Sequence, residues 1–248
     1  MHKIKFDEVL SLGYNCEVSF RLQDRFVDIP SYIYTWAFCL DKRLFLESLS
    51  NDFKDIVLGN CYINDAGMIN FEKYNISFHC APKYKEMLKK EYVSEELKNE
   101  IIEDTKNKIL YLAQKTLSLF SSNKKILFVV KVDETCGEYD VVLFIKELLK
   151  ILNDKVNNKQ FLLLAVVKKE HFNRLKEIKT PQLEIAEVDG YAPIDDTKFG
   201  GDLGAWKGIL SRYEVESIKN DTKTRYKKFK QKFKNFVKKV LMKLKIKK

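Results

Sequence analysis

The feature that most constrains the fold of this chain is a set of three continuous apolar segments in its second half. They cover residues 125–132, 161–167 and 183–188, and amphipathic helix patterns over residues 139–152 and 169–178 separate them. Strands without apolar alternation are buried on both faces, and strand–helix–strand order joins parallel neighbours. The sequence therefore predicts an α/β fold with a mostly parallel sheet and helices on both of its faces.

The first half predicts one more strand of this kind and a separate small sheet. Residues 6–12 predict a short strand that ends at Gly13 and precedes a helical pattern. Short alternating segments with a turn between them predict a small antiparallel insertion at about residues 61–80. Two further helices are predicted over residues 42–49 and 94–120.

The positive charge of the chain is concentrated at its C-terminal end. The net charge of the 248 residues is +10, and residues 223–248 hold 13 lysines and arginines and no acidic residue, which leaves −3 for the remainder. A mildly acidic body argues against a specific nucleic-acid groove. We predict a single α/β domain over residues 1–215 and a basic amphipathic helical tail over residues 216–248.

Apolar residues recur at spacings of three and four along this tail, with lysines on the other face. Such a helix lies in the interface of an anionic membrane. Packing of the aromatic face on the body and RNA binding are the alternatives. The start of the sequence shows no signal peptide and the chain no membrane span, so we expect a cytoplasmic protein, peripheral on the inner face of the cell membrane. The residues predicted to bind the membrane are Phe229, Lys230, Phe233, Lys234, Phe236, Lys238, Lys239 and Leu241.

Among the five cysteines, Cys16 occupies the position that most favours chemistry. The five are far apart and form no Cys-x-x-Cys pair, so we predict neither disulfides nor a metal site, and no cofactor. Cys16 follows a strand and a glycine turn and lies where the next helix begins. The N–H groups and dipole of a helix N-terminus favour a thiolate and can hold an oxyanion. The alternative is a buried structural thiol.

A nucleophilic cysteine needs a base, and the chain has three histidines. His79 ends a predicted strand and is the best candidate, although such a histidine is often structural. His2 is near the terminus, and His171 is predicted to be solvated on a surface helix. Asp133, just past a strand end, is the predicted third catalytic residue; Glu134 is the second choice, and an exposed turn is the alternative.

Four residues are predicted to contact the substrate. Gly13 and Asn15 flank the turn before Cys16, and Trp36 closes an aromatic segment. Asp189 opens a loop rich in Asp and Gly over residues 189–204, at a strand's C-terminal end, where open α/β sheets form their sites.

Three segments together resemble a known family. The run from Ser11 to Val18 (SLGYNCEV), the aromatic segment that closes on Trp36, and a Tyr-x-Ile-x-Phe-His motif that ends at His79 are similar to the bacterial papain-like cysteine peptidases of the DUF1796 family. The resemblance covers roughly residues 6–190 and implies catalytic roles for Cys16 and His79. The family's usual Phe-Asp-Trp is Tyr-Thr-Trp here, and its common His-Asp pair is His-Cys.

We therefore expect a cysteine-nucleophile hydrolase or acyltransferase at the membrane surface, acting on a small-molecule, peptide or glycan substrate. The alternatives are a peripheral glycosyltransferase of surface-polysaccharide synthesis, indicated by the loop at residues 189–204, and a non-catalytic scaffold on the membrane.

Overall fold

The structure is a computed structural model that describes residues 3–13, 15–26, 29–39, 41–88, 93–132, 139–192 and 201–216. The described strands are β1 (Ile4–Phe6), β2 (Glu8–Ser11), β3 (Ala37–Cys39), β4 (Cys61–Ile63), β5 (Met68–Phe71), β6 (Ile76–His79), β7 (Ile126–Val132), β8 (Phe161–Lys168), β9 (Leu183–Val188) and β10 (Tyr213–Val215). The described helices are α1 (Glu17–Phe26), α2 (Lys42–Ser50), α3 (Lys54–Leu58), α4 (Glu95–Phe120), α5 (Val141–Lys155), α6 (Lys169–Leu175) and α7 (Leu203–Leu210).

The main sheet contains four parallel strands in the order β2-β7-β8-β9. Every residue of β7 is buried, as expected for a strand covered on both faces. Its residues alternate between two cores. Phe128 and Val130 pack in the core that includes residues of α4 and α5, while Leu127 and Val129 pack with α1 and α7. The predicted α/β fold with a mostly parallel sheet is confirmed.

The second sheet is antiparallel, with the strand order β3-β6-β5-β4. It includes β3 from the aromatic segment, so it begins earlier in the sequence than the predicted insertion at about residues 61–80. Ile76 and Phe78 of β6 belong to the same apolar core as Phe128 and Val130 of the parallel sheet. This shared core holds the end of β6 close to the end of β2.

The single strand predicted over residues 6–12 is two strands in the structure. The chain bends at Asp7, whose carboxylate accepts a hydrogen bond of 2.6 Å from the backbone N–H of Lys125. Before the bend, β1 pairs with β10 in a separate two-stranded parallel sheet. After it, β2 pairs with β7 in the main sheet. No local pattern in residues 6–12 indicates that two different partners share this segment.

Candidate functional site

The predicted nucleophile and base lie against each other. Cys16 immediately precedes α1, and His79 is the last residue of β6. The Cys16 Sγ and His79 Nε2 atoms are 3.7 Å apart, although 63 positions separate the two residues in the sequence. When Nδ1 of His79 carries the ring proton, Nε2 accepts the hydrogen of the thiol. The antiparallel sheet therefore supplies a base to a thiol carried by the parallel sheet.

Gly13 makes the turn before Cys16 possible by occupying very little space. The backbone N–H of Leu12 still pairs with the carbonyl of Val129, and that of Gly13 donates to Oγ of Ser11. A Cβ atom on Gly13 would lie 2.9 Å from the carbonyl oxygen of Asn15 and 3.3 Å from Cβ of Val18. Any side chain here would push the turn away from α1, so the glycine sets the position of the thiol.

Asn15 organises the beginning of α1. Its Oδ1 accepts a hydrogen bond of 3.0 Å from the backbone N–H of Glu17, and the carbonyl of Cys16 accepts one from Phe20. Cys16 thus stands at the capping position of the helix. Because the N–H of Glu17 is already paired with Asn15, it is not available to an oxyanion in this conformation. The predicted contact of Asn15 with substrate stays a prediction, and in the structure its side chain supports the turn that leads into α1.

The two groups of the pair are uncharged at neutral pH. Cys16 is 8% exposed, and burial raises the pKa of its thiol to about 11. Burial, followed by the charges of Lys108 and Lys85, lowers the pKa of the His79 imidazole below its usual range. The helix N-terminus favours a thiolate, whereas burial of Cys16 favours the neutral thiol. The arrangement suits an imidazole that removes the thiol proton as the sulfur attacks.

A small cavity of about 10 Å³ opens beside His79, which is room for about one water molecule. Its walls are mostly aromatic and aliphatic, and Lys108 of α4 adds one cation. Trp36, which we predicted to contact substrate, lines this cavity and packs edge-on against Phe20 of α1 at a centroid distance of 5.3 Å. The lining residues are Tyr32, Ile33, Trp36, Phe78, His79, Lys108, Ile109 and Leu112.

A buried ion cluster directly behind Cys16 was missed by the sequence reasoning. Glu17 is 0% exposed, and its Oε2 lies 2.7 Å from Nζ of Lys131, which is 1% exposed. Its Oε1 lies 3.8 Å from the guanidinium of Arg21 and accepts a hydrogen bond of 3.2 Å from the N–H of Ala192. The available signal was a lysine inside an otherwise apolar strand, because a fully buried lysine needs a partner.

The chain after β9 packs against this cluster through Tyr191 and Ala192. The hydroxyl of Tyr191 lies 2.8 and 2.9 Å from the carbonyl oxygens of Val132 and Val166, and Nζ of Lys131 lies 4.6 Å from the centre of its ring. The bond from Ala192 to Glu17 therefore ties the end of the main sheet to the residue after Cys16. Part of the loop predicted at residues 189–204 thus supports the start of α1.

The remaining predicted residues have different outcomes. Asp189 is exposed at the end of β9, where its N–H donates to the carboxylate of Asp202, and among the described residues it has no contact with Cys16 or His79. Three inter-strand spacings, about 14 Å in total, separate β9 from β2. His171, predicted to be solvated, is 5% exposed, so that prediction was wrong. The packing of the short helix α6 against β8 and β9 buries it.

Several predictions fall outside the described residues. They include the third catalytic residue Asp133, its alternative Glu134, and His2. Residues 217–248 of the predicted basic tail lie there as well, with the predicted membrane contacts Phe229, Lys230, Phe233, Lys234, Phe236, Lys238, Lys239 and Leu241.

No family model matches the chain, and no curated protein or solved structure is significantly similar to it. The resemblance to the DUF1796 family stays a prediction. Within the described ranges, no three His, Cys, Asp or Glu side chains are grouped so that they could hold a metal ion. None of the helices in the part of the chain that the structure describes combines the length and the apolarity needed to cross a bilayer.

Proposed function

We propose that the protein is a thiol hydrolase or acyltransferase in which Cys16 is the nucleophile and His79 is the general base. The observation that carries this proposal is the distance of 3.7 Å between Sγ of Cys16 and Nε2 of His79. The other described cysteines are Cys39, Cys61 and Cys80, and the thiol of Cys39, for comparison, lies against the backbone carbonyls of Asp41 and Tyr74. A thiol within reach of an imidazole is the minimum arrangement for nucleophilic catalysis.

The reaction begins with a neutral thiol and a neutral imidazole. As Sγ of Cys16 bonds to a carbonyl carbon, Nε2 of His79 takes the thiol proton, and the carbonyl π electrons move to its oxygen. The intermediate then expels its leaving group, which receives the proton from His79, and a thioester remains on Cys16. Water or another acceptor attacks the thioester, His79 accepts the acceptor's proton, and the proton returns to the departing sulfur.

The position of Cys16 at the start of a rigid helix supports this assignment. Gly13 and Asn15 fix the turn, and the buried pair of Glu17 and Lys131 fixes the first turn of α1 to the main sheet. Catalytic groups must be held within about 0.5 Å of their productive geometry. These three constraints hold the thiol in a fixed position beside His79, as a nucleophile requires.

Trapping of an acyl intermediate tests the proposal. The full chain is treated with 4-nitrophenyl acetate at pH 7, and the modified cysteine is located by peptide mass mapping. We expect acylation of Cys16, its loss in Cys16→Ala, and a rate about 10²–10⁴-fold lower in His79→Asn. Cys80→Ser is the matched control, because Cys80 adjoins His79 in the sequence and should leave the rate unchanged. Acylation of another cysteine, or an unchanged rate in His79→Asn, would contradict the proposal.

We also propose that residues 223–248 hold this site at an anionic membrane surface. Their support is the 13 cationic side chains without an acid and the apolar residues at helical spacing. Each lysine near such a surface contributes about 1 kcal/mol, so replacing Lys230, Lys234, Lys238 and Lys239 by glutamine should weaken binding to phosphatidylglycerol vesicles by about 10²–10³-fold. Four glutamines at exposed lysines of the body are the control. Equal binding of both variants in vesicle sedimentation would refute the proposal.

A further inference from the structure

Lys108 is a cation that lies beside His79, the base of the reacting pair. It lies on α4 and lines the cavity beside His79, together with Trp36 and Phe78. The other lining residues are aromatic or aliphatic, so Lys108 gives this apolar cavity a single positive charge. The side chain stays accessible to solvent, and the atoms around it remove enough water to lower the pKa of its ammonium group.

No described acidic residue neutralises Lys108. The acid one helical turn before it is Asp104, which already forms an ion pair of 2.8 Å with Lys83 and accepts a hydrogen bond of 2.6 Å from Tyr84. The residue one turn after it is Leu112. Lys108 forms no ion pair within the part of the chain that the structure describes. The second charge that acts on His79 is Lys85, also a cation.

We propose that Lys108 binds an anionic group of the substrate, so that the site selects short acyl groups that carry a carboxylate or a phosphate. This inference rests on the proposed function, because it assigns a specificity to the Cys16 and His79 site. A cavity of about 10 Å³ admits a group no larger than a methyl or a water molecule. The charged part of the substrate therefore stays at the mouth, where Lys108 lies.

The charge of Lys108 also has a consequence for the reaction itself. A cation beside His79 disfavours the imidazolium form of its ring. An anionic substrate that pairs with Lys108 offsets this effect, and it does so only when it is bound. When the substrate carries no negative charge, the charges of Lys85 and Lys108 continue to disfavour proton transfer to His79.

Two esters that differ in charge test the inference. They are 4-nitrophenyl butyrate and the 4-nitrophenyl monoester of succinate, which share a leaving group and a chain of similar length. The measurement is the second-order rate constant for acylation of Cys16, divided for each ester by its rate with glutathione. We expect the anionic ester to react about tenfold faster with the native protein. Lys108→Met should abolish this preference by slowing the anionic ester, whereas the neutral ester should react no more slowly, because the variant removes a cation that opposes proton transfer to His79.

Lys106→Met is the matched control, since it removes the same charge from the same helix at a position that acts on Cys61 rather than on His79. It should keep the tenfold preference. Equal reactivity of the two esters, or a preference that persists in Lys108→Met, would overturn the role of Lys108 and leave the nucleophile intact. If neither ester acylates Cys16, the proposed function itself is wrong, and the specificity is wrong with it.

Discussion

The buried pair of Lys131 and Glu17 allows the sharpest stability prediction. Both side chains are at most 1% exposed and their charged atoms are 2.7 Å apart. Lys131→Met keeps much of the volume of the lysine stem but removes the ammonium group. Glu17 then keeps its hydrogen bond of 3.2 Å from Ala192 and the guanidinium of Arg21 at 3.8 Å. Because Glu17 loses its closest cation and the remaining guanidinium is 3.8 Å away, the buried carboxylate is only partly compensated.

Removing one partner of such a pair costs about 3–5 kcal/mol, and the two remaining contacts place this site at the lower end. We therefore expect Lys131→Met to lower the free energy of unfolding by about 3 kcal/mol, which is about a 10²-fold loss in the folding equilibrium constant. Urea denaturation followed by far-UV circular dichroism measures this, with an unchanged m-value as the sign of an unaltered unfolding transition. Urea is preferred because guanidinium chloride screens charges.

Two further variants make the test specific. Lys98→Met removes a cation from an ion pair of equal length, 2.7 Å, on the exposed face of α4, and should cost less than about 1 kcal/mol. Adding Glu17→Gln to Lys131→Met removes the uncompensated charge and should restore at least about 1 kcal/mol. The reasoning fails if Lys131→Met costs no more than Lys98→Met, or if the second substitution makes the protein still less stable.

Two other predictions concern the Cys16 turn and its titration. Gly13→Ala places a Cβ atom 2.9 Å from the carbonyl oxygen of Asn15, so we expect a loss of about 1–3 kcal/mol in urea denaturation and slower acylation of Cys16, whereas Gly208→Ala, with nothing within 4 Å, should not destabilise. A harmless Gly13→Ala would show that the turn is not tight. Burial raises the pKa of Cys16 from 9.0 to about 11. The unfolded chain therefore loses this thiol proton first as the pH rises. Between pH 9 and 11 the native protein should lose about 2–3 kcal/mol more stability than Cys16→Ser, and parallel stability curves for the two would contradict this.

The parallel sheet could be predicted from the sequence because its strands are largely apolar. Residues 161–167 carry no polar side chain, residues 183–188 include only Glu184 and Glu187, and the structure places strands at Phe161–Lys168 and Leu183–Val188. Local sequence determines this pattern, since a strand covered on both faces has few polar positions. The long helix over residues 94–120 can also be predicted from a local pattern, because its apolar residues recur at helical spacing. Ser94 caps its start.

What could not be predicted depends on contacts between distant segments. The break at Asp7 arises because β1 and β2 pair with strands that lie far apart in the chain. The burial of His171 comes from packing of α6 on β8 and β9, while its local sequence is that of a surface helix. Charged residues in short helices give no sign of such packing.

In the candidate site, too, some features follow from local sequence and others depend on contacts between distant segments. The strand, glycine turn and helix around Cys16 are local, and His79 was selected among only three histidines. The raised thiol pKa depends on burial by distant residues, and so does the partner of Glu17. Lys131 stands 114 positions away from Glu17, and only its place in an apolar strand indicated that a buried acid would be needed.

The dependence of Cys16 alkylation on pH tests the central claim most directly. A lone thiol with a pKa of about 11 has a thiolate fraction of about 10⁻⁴ at pH 7, and its reaction with iodoacetamide rises tenfold with each pH unit. Proton transfer to His79 adds a second route below that pKa. We predict that native Cys16 reacts at pH 7 at least about tenfold faster than Cys16 in His79→Asn, while labelling of Cys80 is the same in both. Equal Cys16 rates, each rising tenfold per pH unit from pH 6 to 10, would contradict the pairing of these two residues.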